Sequence, residues 1–260
     1  VESGSQANYV TAILLAVSRD EDGEVSWQPQ FRVLDSADYA ADEAALARLQ
    51  PFEDKLSAEL DIEIGETLVE LDTQRASVRS QESNFGNLIA DAMRSATGAN
   101  VGLTNGGGIR GDRLYEAGHV LTRRDILTEL PFGNTTVLVE LSGADLLAAL
   151  ENGVSQVEDG AGRFPQVSGL TFTFDASKPA GERVSDVMVG GSPLDPAATY
   201  TVATNDYMLG GGDGYASLGN GKVIIDAAAA TLMASTVVNY ITALGGKVQV
   251  VAGGRITRLD

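Results

Sequence analysis

The chain contains no cysteine and only one histidine, His119, among its 260 residues. The absence of cysteine excludes disulfide bonds, thiol catalysis and thiolate metal sites. It is compatible with a cytoplasmic or an extracytoplasmic location. A two-metal hydrolytic centre normally uses imidazole together with carboxylate ligands, and one histidine is too few to supply it. We therefore expect no catalytic residue and no metal site in this chain. His119 has no ligand motif near it and is interpreted as a surface or packing residue.

Long apolar runs and positive charge are also scarce. No apolar stretch reaches the roughly 18 residues of a membrane-spanning helix, and residues 1–5 do not have the pattern of a signal peptide. The chain has 36 acidic and 18 basic residues, which gives a formal charge of −18. A field of this sign repels polyanions, so we expect neither nucleic acid nor an anionic membrane as a partner. The 43% of hydrophobic residues is enough for one large domain with its own core.

Hydrophobic periodicity predicts a mixed α/β (α+β) fold, in which helices flank a mixed β-sheet. A hairpin is predicted over residues 9–34, with its turn at 20–23, followed by two helices or one kinked helix over residues 36–60. An amphipathic helix should begin after a cap at Ser83 or Asn84 and end at Gly98. Further strands are predicted at residues 67–71, 100–104, 135–141, 167–175, 183–189, 200–204 and 248–251. Further helices are predicted at residues 123–127, 142–154 and 226–244.

A glycine-rich loop, Asn105–Arg110, follows the predicted strand at 100–104. Three successive glycines allow positive φ and the close approach of another molecule, while the flanking amide and guanidinium suit a polar, anionic ligand. The structural alternative is a glycine-rich turn beside an exposed arginine. Residues 106–111 also fit the dinucleotide fingerprint G-x-G-x-x-G, but that motif needs a helix to begin inside it. No helical pattern follows here, so we reject a dinucleotide site.

Two aromatic residues also lie in predicted loops at strand ends, where α/β sheets gather ligand contacts. Phe132 lies between a helix and a strand, and Tyr207 precedes Asp213 in a second glycine-rich loop. Two such rings could stack on a flat heterocycle, and the carboxylate could accept from ribose hydroxyls. Phosphate would be held by guanidinium groups through bidentate, charge-assisted hydrogen bonds; the candidates are Arg75, Arg79 and Arg110. Each residue alone is ordinary, but together they predict a nucleotide pocket.

Five stretches, taken in order, resemble the C-terminal domain of the 5'-nucleotidases, a family that includes bacterial UDP-sugar hydrolases and ecto-5'-nucleotidases. They are Arg79–Ala92, Asn105–Arg110, Leu130–Asn134, Phe164–Gly169 and Asn205–Tyr215. The resemblance covers roughly residues 66–260 and implies a substrate-binding domain. It further implies that residues 1–35 are the last piece of an N-terminal metallophosphoesterase domain and that residues 36–65 are an interdomain helical linker.

The resemblance also implies roles for particular residues. The stacking pair would be Phe132 and Tyr207, although phenylalanine is usual at the second position, and Asp213 would accept from the sugar. The full set of implied substrate contacts is Arg75, Arg79, Asn105, Gly107, Arg110, Phe132, Asn134, Tyr207 and Asp213. A divalent metal pair, such as zinc or manganese, would belong to the N-terminal domain, so this chain alone is expected to be inactive.

The compartment implied by the resemblance is extracytoplasmic. Two alternatives to a nucleotidase domain remain open on the sequence. The first is a non-catalytic nucleoside-binding, nucleotide-binding or surface protein that retains the fold. The second, a dinucleotide-dependent redox function, depends only on the rejected fingerprint.

Overall fold

A computed structural model describes residue 3 and residues 7–260 of the chain. The chain divides into two compact units, Val1–Ser57 and Ala58–Asp260. The domain boundaries expected from the resemblance, at residues 35 and 65, stay a prediction.

The first unit contains an antiparallel hairpin of β1 (Tyr9–Arg19) and β2 (Val25–Asp35), as the sequence predicts. The Asp20 carboxylate holds its turn by accepting from the backbone N–H groups of Asp22 and Glu24, at 3.1 and 2.8 Å. One helix follows, α1 (Glu43–Leu60), with Pro51 inside it. The alternative of two α-helices in this segment is therefore wrong, and the one α-helix begins later than predicted, after a short 3-10 turn at Ser36–Asp38.

The second unit contains six helices: α2 (Arg75–Val78), α3 (Asn84–Thr97), α4 (Arg123–Glu129), α5 (Gly143–Val154), α6 (Asp206–Leu209) and α7 (Met233–Ala243). Its longer strands are β3 (Glu63–Thr67), β5 (Val101–Asn105), β8 (Thr135–Ser142), β9 (Pro165–Ser168), β10 (Leu170–Phe174), β11 (Val184–Val189), β13 (Thr199–Asn205) and β14 (Lys222–Ile225). Its shorter strands are β4 (Leu71–Asp72), β6 (Leu114–Tyr115), β7 (Val120–Thr122), β12 (Ser192–Pro193), β15 (Thr231–Leu232), β16 (Lys247–Val248) and β17 (Ile256–Arg258). None of the helices in the described part of the chain is long and apolar enough to cross a membrane.

A six-stranded mixed sheet is the centre of the second unit, with the order β14-β8-β13-β5-β9 and with β15 also paired to β8. Side chains alternate between its two faces, so that Val202 and Ala203 of β13 enter different hydrophobic clusters. Helix α3 covers one face of the sheet, across β5, β9 and β13. Helix α5 and the sheet β12-β11-β10-β17 contribute to the cluster on the other face. The sheet is therefore buried on both sides, which fixes the strand ends that carry the site.

Capping residues set the ends of the helices beside this sheet. Ser83 Oγ accepts from the Gly86 N–H at the start of α3, and Gly98 ends it at φ 67°. Ser142 caps α5 by accepting from the Asp145 N–H. Thr122 and Asp125 form a reciprocal capping box at the start of α4. The predicted limits of these three helices follow from side chains that the sequence shows directly.

Several predicted elements are wrong in extent. The helix predicted at 226–244 begins only at Met233, because the Asp226 carboxylate accepts from the Ala228 and Ala229 N–H groups and forms a turn. The strand predicted at 167–175 is interrupted at Gly169, which has φ +70°. The strands predicted at 67–71 and 248–251 are mostly loop, and strands β14 and β17 are not predicted at all. The missed strands are short and depend on pairing with distant partners.

Candidate functional site

Two parallel strands end together at one edge of the central sheet. β5 and β13 are neighbours, with Val202 opposite Val101, so their carboxyl ends lie side by side. The last residues of these strands are Asn105 and Asn205. The Asn205 Nδ2 donates to the Asn105 Oδ1 at 3.1 Å, which joins the two ends directly. The glycine-rich loops that follow the two strands are therefore adjacent.

The outer neighbours of these strands run antiparallel and bring two more loops to the same edge. β8 pairs with β13 so that Thr136 lies opposite Asn205, which places the preceding Phe132–Asn134 turn at this edge. β9 pairs with β5 so that Pro165 lies opposite Asn105, which places Gly162 there as well. Four loops that are distant in sequence thus meet where α/β sheets usually bind ligands.

These loops enclose a cavity of about 460 Å³. It is lined by Arg79, Asn105, Gly107, Gly108, Arg110, Phe132, Asn134, Gly162, Tyr207 and Asp213. Eight of the nine residues predicted as substrate contacts are in this lining. The exception is Arg75, which is exposed at the start of α2 and whose backbone N–H donates to the Asp112 carboxylate at 2.8 Å.

The positive φ predicted for the triple glycine is wrong, whereas the predicted close approach of a ligand stays a prediction. None of Gly106, Gly107 and Gly108 has a positive φ. A Cβ on Gly106 would lie 1.9 Å from the Val78 carbonyl oxygen, and one on Gly107 would lie 2.8 Å from the Gly162 Cα. Two of the glycines are therefore required because other backbone segments pass close to them. Gly107 and Gly108 still contribute backbone to the cavity.

A group of guanidiniums makes one wall of the cavity positive. Arg79 is only 8% exposed, and its Nη1 donates to the Gly160 carbonyl oxygen at 3.3 Å. Its buried Nε has no hydrogen-bond partner among the residues that the structure describes. Burial lowers the pKa of Arg79, and the charges of Arg75 and Arg110 lower it further. The Asp213 and Asp112 carboxylates act in the opposite direction. Arg79 therefore lies close enough to two other positive groups to be repelled by them, which an anion would relieve.

Two aromatic rings line the same cavity and are accessible to a ligand. Phe132 is 60% exposed and Tyr207 is 48% exposed. The Arg110 guanidinium lies over the Phe132 ring, 5.4 Å from its centroid, so the positive wall and the first ring are in contact. The Tyr207 ring packs over Gly212, where a Cβ would approach its carbons to 2.5 Å.

The Asp213 carboxylate is held by donors on both of its oxygens. The Tyr207 hydroxyl donates to Oδ1 at 2.9 Å, and the Asn105 Nδ2 donates to Oδ2 at 2.7 Å. Asp213 itself has φ +52°, in the left-handed region that few residues other than glycine adopt. Burial and the Asp213 carboxylate both raise the pKa of Tyr207, so its phenol stays protonated and acts as the donor. Each carboxylate oxygen keeps a lone pair for a further donor.

Metal ligands are not gathered in this region. Within residues 3 and 7–260, no three histidine, aspartate or glutamate side chains come together in a way that could hold a metal ion. His119 packs against the Tyr115 ring, with centroids 5.0 Å apart, and does not line the cavity. The interpretation of His119 as a packing residue agrees with this contact.

The sequence profile described as "5'-nucleotidase, C-terminal domain" matches residues 63–220. The chain belongs to this family. It is 41% identical over 180 residues to the trifunctional nucleotide phosphoesterase protein YfkN of Bacillus subtilis, a match that covers 66% of this chain and 12% of that protein. It is 34% identical over 199 residues to the protein UshA of Escherichia coli, covering 76% of this chain and 34% of that one.

Solved structures agree with the sequence comparison. The crystal structure of a 5'-nucleotidase precursor from Thermus thermophilus matches with a TM-score of 0.75 and 39% identity, over 95% of this chain and 50% of that one. The predicted resemblance and the predicted fold class are therefore confirmed. The chain spans only about an eighth to a half of the length of these relatives.

Some residues of this 5'-nucleotidase C-terminal domain were not found from the sequence. Gly162 lines the cavity but has no role in the sequence prediction, because its contribution is backbone and depends on strand pairing, and Gly108 was predicted only as part of the glycine-rich loop. Glu129 was also missed. It is fully buried at the end of α4, three residues before Phe132. Its signal was available, because Ile126, Glu129 and Leu130 are at the i, i+3 and i+4 spacing of a buried helix face.

Proposed function

We propose that the cavity is the nucleotide-recognition site of a metal-dependent 5'-nucleotidase or related phosphoester hydrolase. In this proposal the base stacks between Phe132 and Tyr207, and the Asp213 carboxylate accepts from the sugar hydroxyls. Arg79 and Arg110 bind the phosphate, with Arg75 adding positive charge from outside the lining. Asn105, Gly107 and Asn134 complete the polar contacts.

The observation that carries the proposal is the buried, partly unsatisfied Arg79 guanidinium in the wall of the cavity. A buried donor without a partner is costly, and a charged one more so. The unpaired Arg79 donor occurs in a chain whose overall formal charge is −18, and two further arginines lie close to it. An anionic group bound at this wall would satisfy the free donor and offset the mutual repulsion.

The two rings support a flat ligand rather than a bare anion. Exposed aromatic rings are available for stacking, which contributes roughly 1–3 kcal/mol per base. Hydrogen bonds from Tyr207 and Asn105 hold the Asp213 carboxylate between the Tyr207 ring and the glycine loop. A ligand with a base, a polyol and a phosphate matches these three chemistries at once.

Calorimetric titration of the chain with AMP, adenosine and UDP-glucose tests the binding proposal. We expect weak binding of AMP that falls about tenfold or more in Phe132→Ala, and that also falls in Asp213→Ala. The control is Phe52→Ala, which removes a similarly exposed phenylalanine of α1 outside the cavity. Absence of any binding to well-folded chain would contradict the proposal and favour a protein that keeps the fold for another purpose.

Catalysis in this proposal belongs to a separate N-terminal metallophosphoesterase domain that holds a divalent metal pair. The hairpin supports such a partner, since it exposes a series of large apolar side chains that a second domain could cover. They are Tyr9, Val10, Ile13, Leu14, Leu15, Val17, Val25, Trp27, Phe31 and Val33. The full-length protein would work outside the cytoplasm, as a periplasmic, secreted or cell-surface enzyme.

The assignment of catalysis to another domain has its own test. The chain incubated with AMP and Mn²⁺ or Zn²⁺ should release no phosphate above the rate without protein. Phosphate release that requires this chain, and that persists after the chain is purified again, would refute this assignment. Fractionation of the source cells, with an antibody to this chain, would test the compartment.

A further inference from the structure

Glu129 is a buried carboxylate next to the cavity that has no part in the binding proposal. It is fully buried, and its two oxygens accept from three residues in two parts of the chain. The Tyr115 hydroxyl donates to Oε1 at 2.8 Å, and the Thr73 hydroxyl donates to the same oxygen at 3.1 Å. The Gly111 N–H donates to Oε2 at 2.9 Å. Buried carboxylates are rare unless a specific arrangement needs them.

Glu129 also holds the backbone on both sides of Arg110. The Arg110 N–H donates to the Glu129 backbone oxygen at 2.9 Å, and the next N–H along the chain donates to the side chain. The two peptide groups that flank the Arg110 Cα are thus both attached to Glu129. Arg110 itself is exposed, and its guanidinium lies over the Phe132 ring.

Gly111 and Glu129 fit each other as a pair. A Cβ on Gly111 would lie 1.9 Å from Oε1 and 2.5 Å from Oε2 of Glu129. Only a glycine therefore allows the carboxylate to reach the backbone of this loop. Thr73, which precedes α2, ties the same carboxylate to the segment that begins with Arg75.

We propose that Glu129 is a positioning residue for nucleotide binding, which holds the loop at Gly111 so that the Arg110 guanidinium faces the phosphate beside Phe132. It does not touch the ligand. This inference rests on the proposed function, because it assumes that Arg110 binds the phosphate. The acceptor for the Gly111 N–H is the feature that matters, so an amide oxygen at this position should serve as well as a carboxylate.

The test compares AMP with adenosine in Glu129→Leu and Glu129→Gln. Glu129→Leu removes the acceptor, and we expect AMP affinity to fall about tenfold while adenosine affinity changes less, since adenosine lacks the phosphate. Glu129→Gln keeps an oxygen for the Gly111 N–H and can donate to the Tyr115 and Thr73 hydroxyl oxygens, so it should restore AMP affinity. The ratio of the two affinities is a readout that a merely structural role would not move.

A matched control is Glu82→Leu. Glu82 is also buried, and its carboxylate accepts from Asn87 and from the N–H groups of Arg255 and Ile256, none of which lines the cavity. An unchanged AMP-to-adenosine ratio in folded Glu129→Leu, an equal change of the ratio in Glu82→Leu, or no recovery in Glu129→Gln would overturn the inference.

Amide hydrogen exchange at Gly111 separates this inference from the proposed function. If the wild type binds neither ligand, the proposed function fails, while slow exchange at Gly111 would still support the role of Glu129 in holding the loop. If Glu129→Leu does not fold, the wild-type amide carries the test. Exchange of Gly111 at the rate of an unstructured peptide would then overturn the positioning role.

Discussion

Tyr207, in helix α6, and Asp213, in the turn that follows it, show how two residues six apart form a binding element. The phenol donates to the carboxylate at 2.9 Å and accepts from the Asp213 N–H at 3.2 Å, so two hydrogen bonds join the pair. These bonds compensate for the left-handed backbone of Asp213, which costs free energy in a residue other than glycine. The hydroxyl of Tyr207 therefore orients the Asp213 carboxylate, in addition to the stacking that the Tyr207 ring would provide for a base.

Tyr207→Phe should separate these two contributions. The ring remains, but Asp213 loses the donor to Oδ1 and the acceptor for its N–H, so its carboxylate is held by Asn105 alone. We expect adenosine affinity to fall about three- to tenfold with little change in the unfolding midpoint. Titration calorimetry measures the first quantity and thermal denaturation the second. Equal affinity in the variant would mean that the hydroxyl is not needed to orient Asp213.

Glu129 gives a prediction on the pH dependence of stability. Burial raises the pKa of its carboxyl in the folded chain, despite hydrogen bonds that act in the other direction. The folded chain therefore binds this proton more tightly than the unfolded chain does. Its contribution to stability is complete below the ordinary glutamate pKa of about 4.3 and is lost as the pH rises through the folded-state pKa.

Glu129→Gln removes this titration while it keeps the shape of the side chain. We expect the stability of the wild type relative to Glu129→Gln to decrease as the pH rises from about 5 towards 8. Urea denaturation of both proteins at each pH measures the difference. A difference that stays constant, or that increases with pH, would contradict the direction of the shift.

At the scale of elements, the glycine loop after β5 depends on close backbone packing. Gly106→Ala would place a methyl group 1.9 Å from the Val78 carbonyl oxygen at the end of α2, where only backbone could move. We expect a loss of about 2 kcal/mol or more in unfolding free energy. Gly108→Ala in the same loop is the control, because its nearest neighbour is the Asn105 side chain at 3.4 Å. Denaturant titration should find the control close to wild type.

Elements with a local signal were predictable from the sequence. Helix α3 has its cap, its apolar face and its terminal glycine within sixteen residues, from Ser83 to Gly98, and its limits were predicted correctly. Strand β14 offers only a short run of β-branched residues, and its extent is set by pairing with the distant strand β8. The loops of the site were located because each follows or precedes a predicted strand. Their convergence depends on the order β8-β13-β5-β9, which involves pairs more than sixty residues apart.

The packing role of Gly106 and Gly107 could not be predicted, for the same physical reason. The sequence shows three glycines but not the segments that pass beside them, so an open approach for a ligand and a close approach of Val78 or Gly162 look alike. Glu129 is the opposite case, because an acidic residue at a buried helical spacing is visible in the sequence. Its partners Thr73 and Gly111 are not visible, since they belong to other segments.

At the scale of the whole molecule, the hairpin of β1 and β2 exposes many large apolar side chains to solvent. Val17 and Trp27 lie opposite each other on β1 and β2 and are 64% and 63% exposed. Long exposed apolar strands promote association between chains. The charge of −18 opposes it by repulsion, which salt screens.

We therefore expect the chain to self-associate more strongly as salt is added. The double variant Val17→Thr with Trp27→Thr should raise the dissociation constant about tenfold, as measured by sedimentation equilibrium. The matched control changes Val251 and Leu259 to threonine, because both are 64% exposed in the second unit. Equal dissociation constants for the two double variants would show that the chains do not associate through the hairpin.

The family assignment gives this chain a place in a larger enzyme, but the central claim concerns the cavity alone. A crystal structure of the chain grown with saturating AMP tests it most directly. The account predicts adenine between Phe132 and Tyr207, with the phosphate within hydrogen-bonding distance of Arg79 or Arg110. An empty cavity under those conditions, or AMP bound with its base away from both rings, would contradict it.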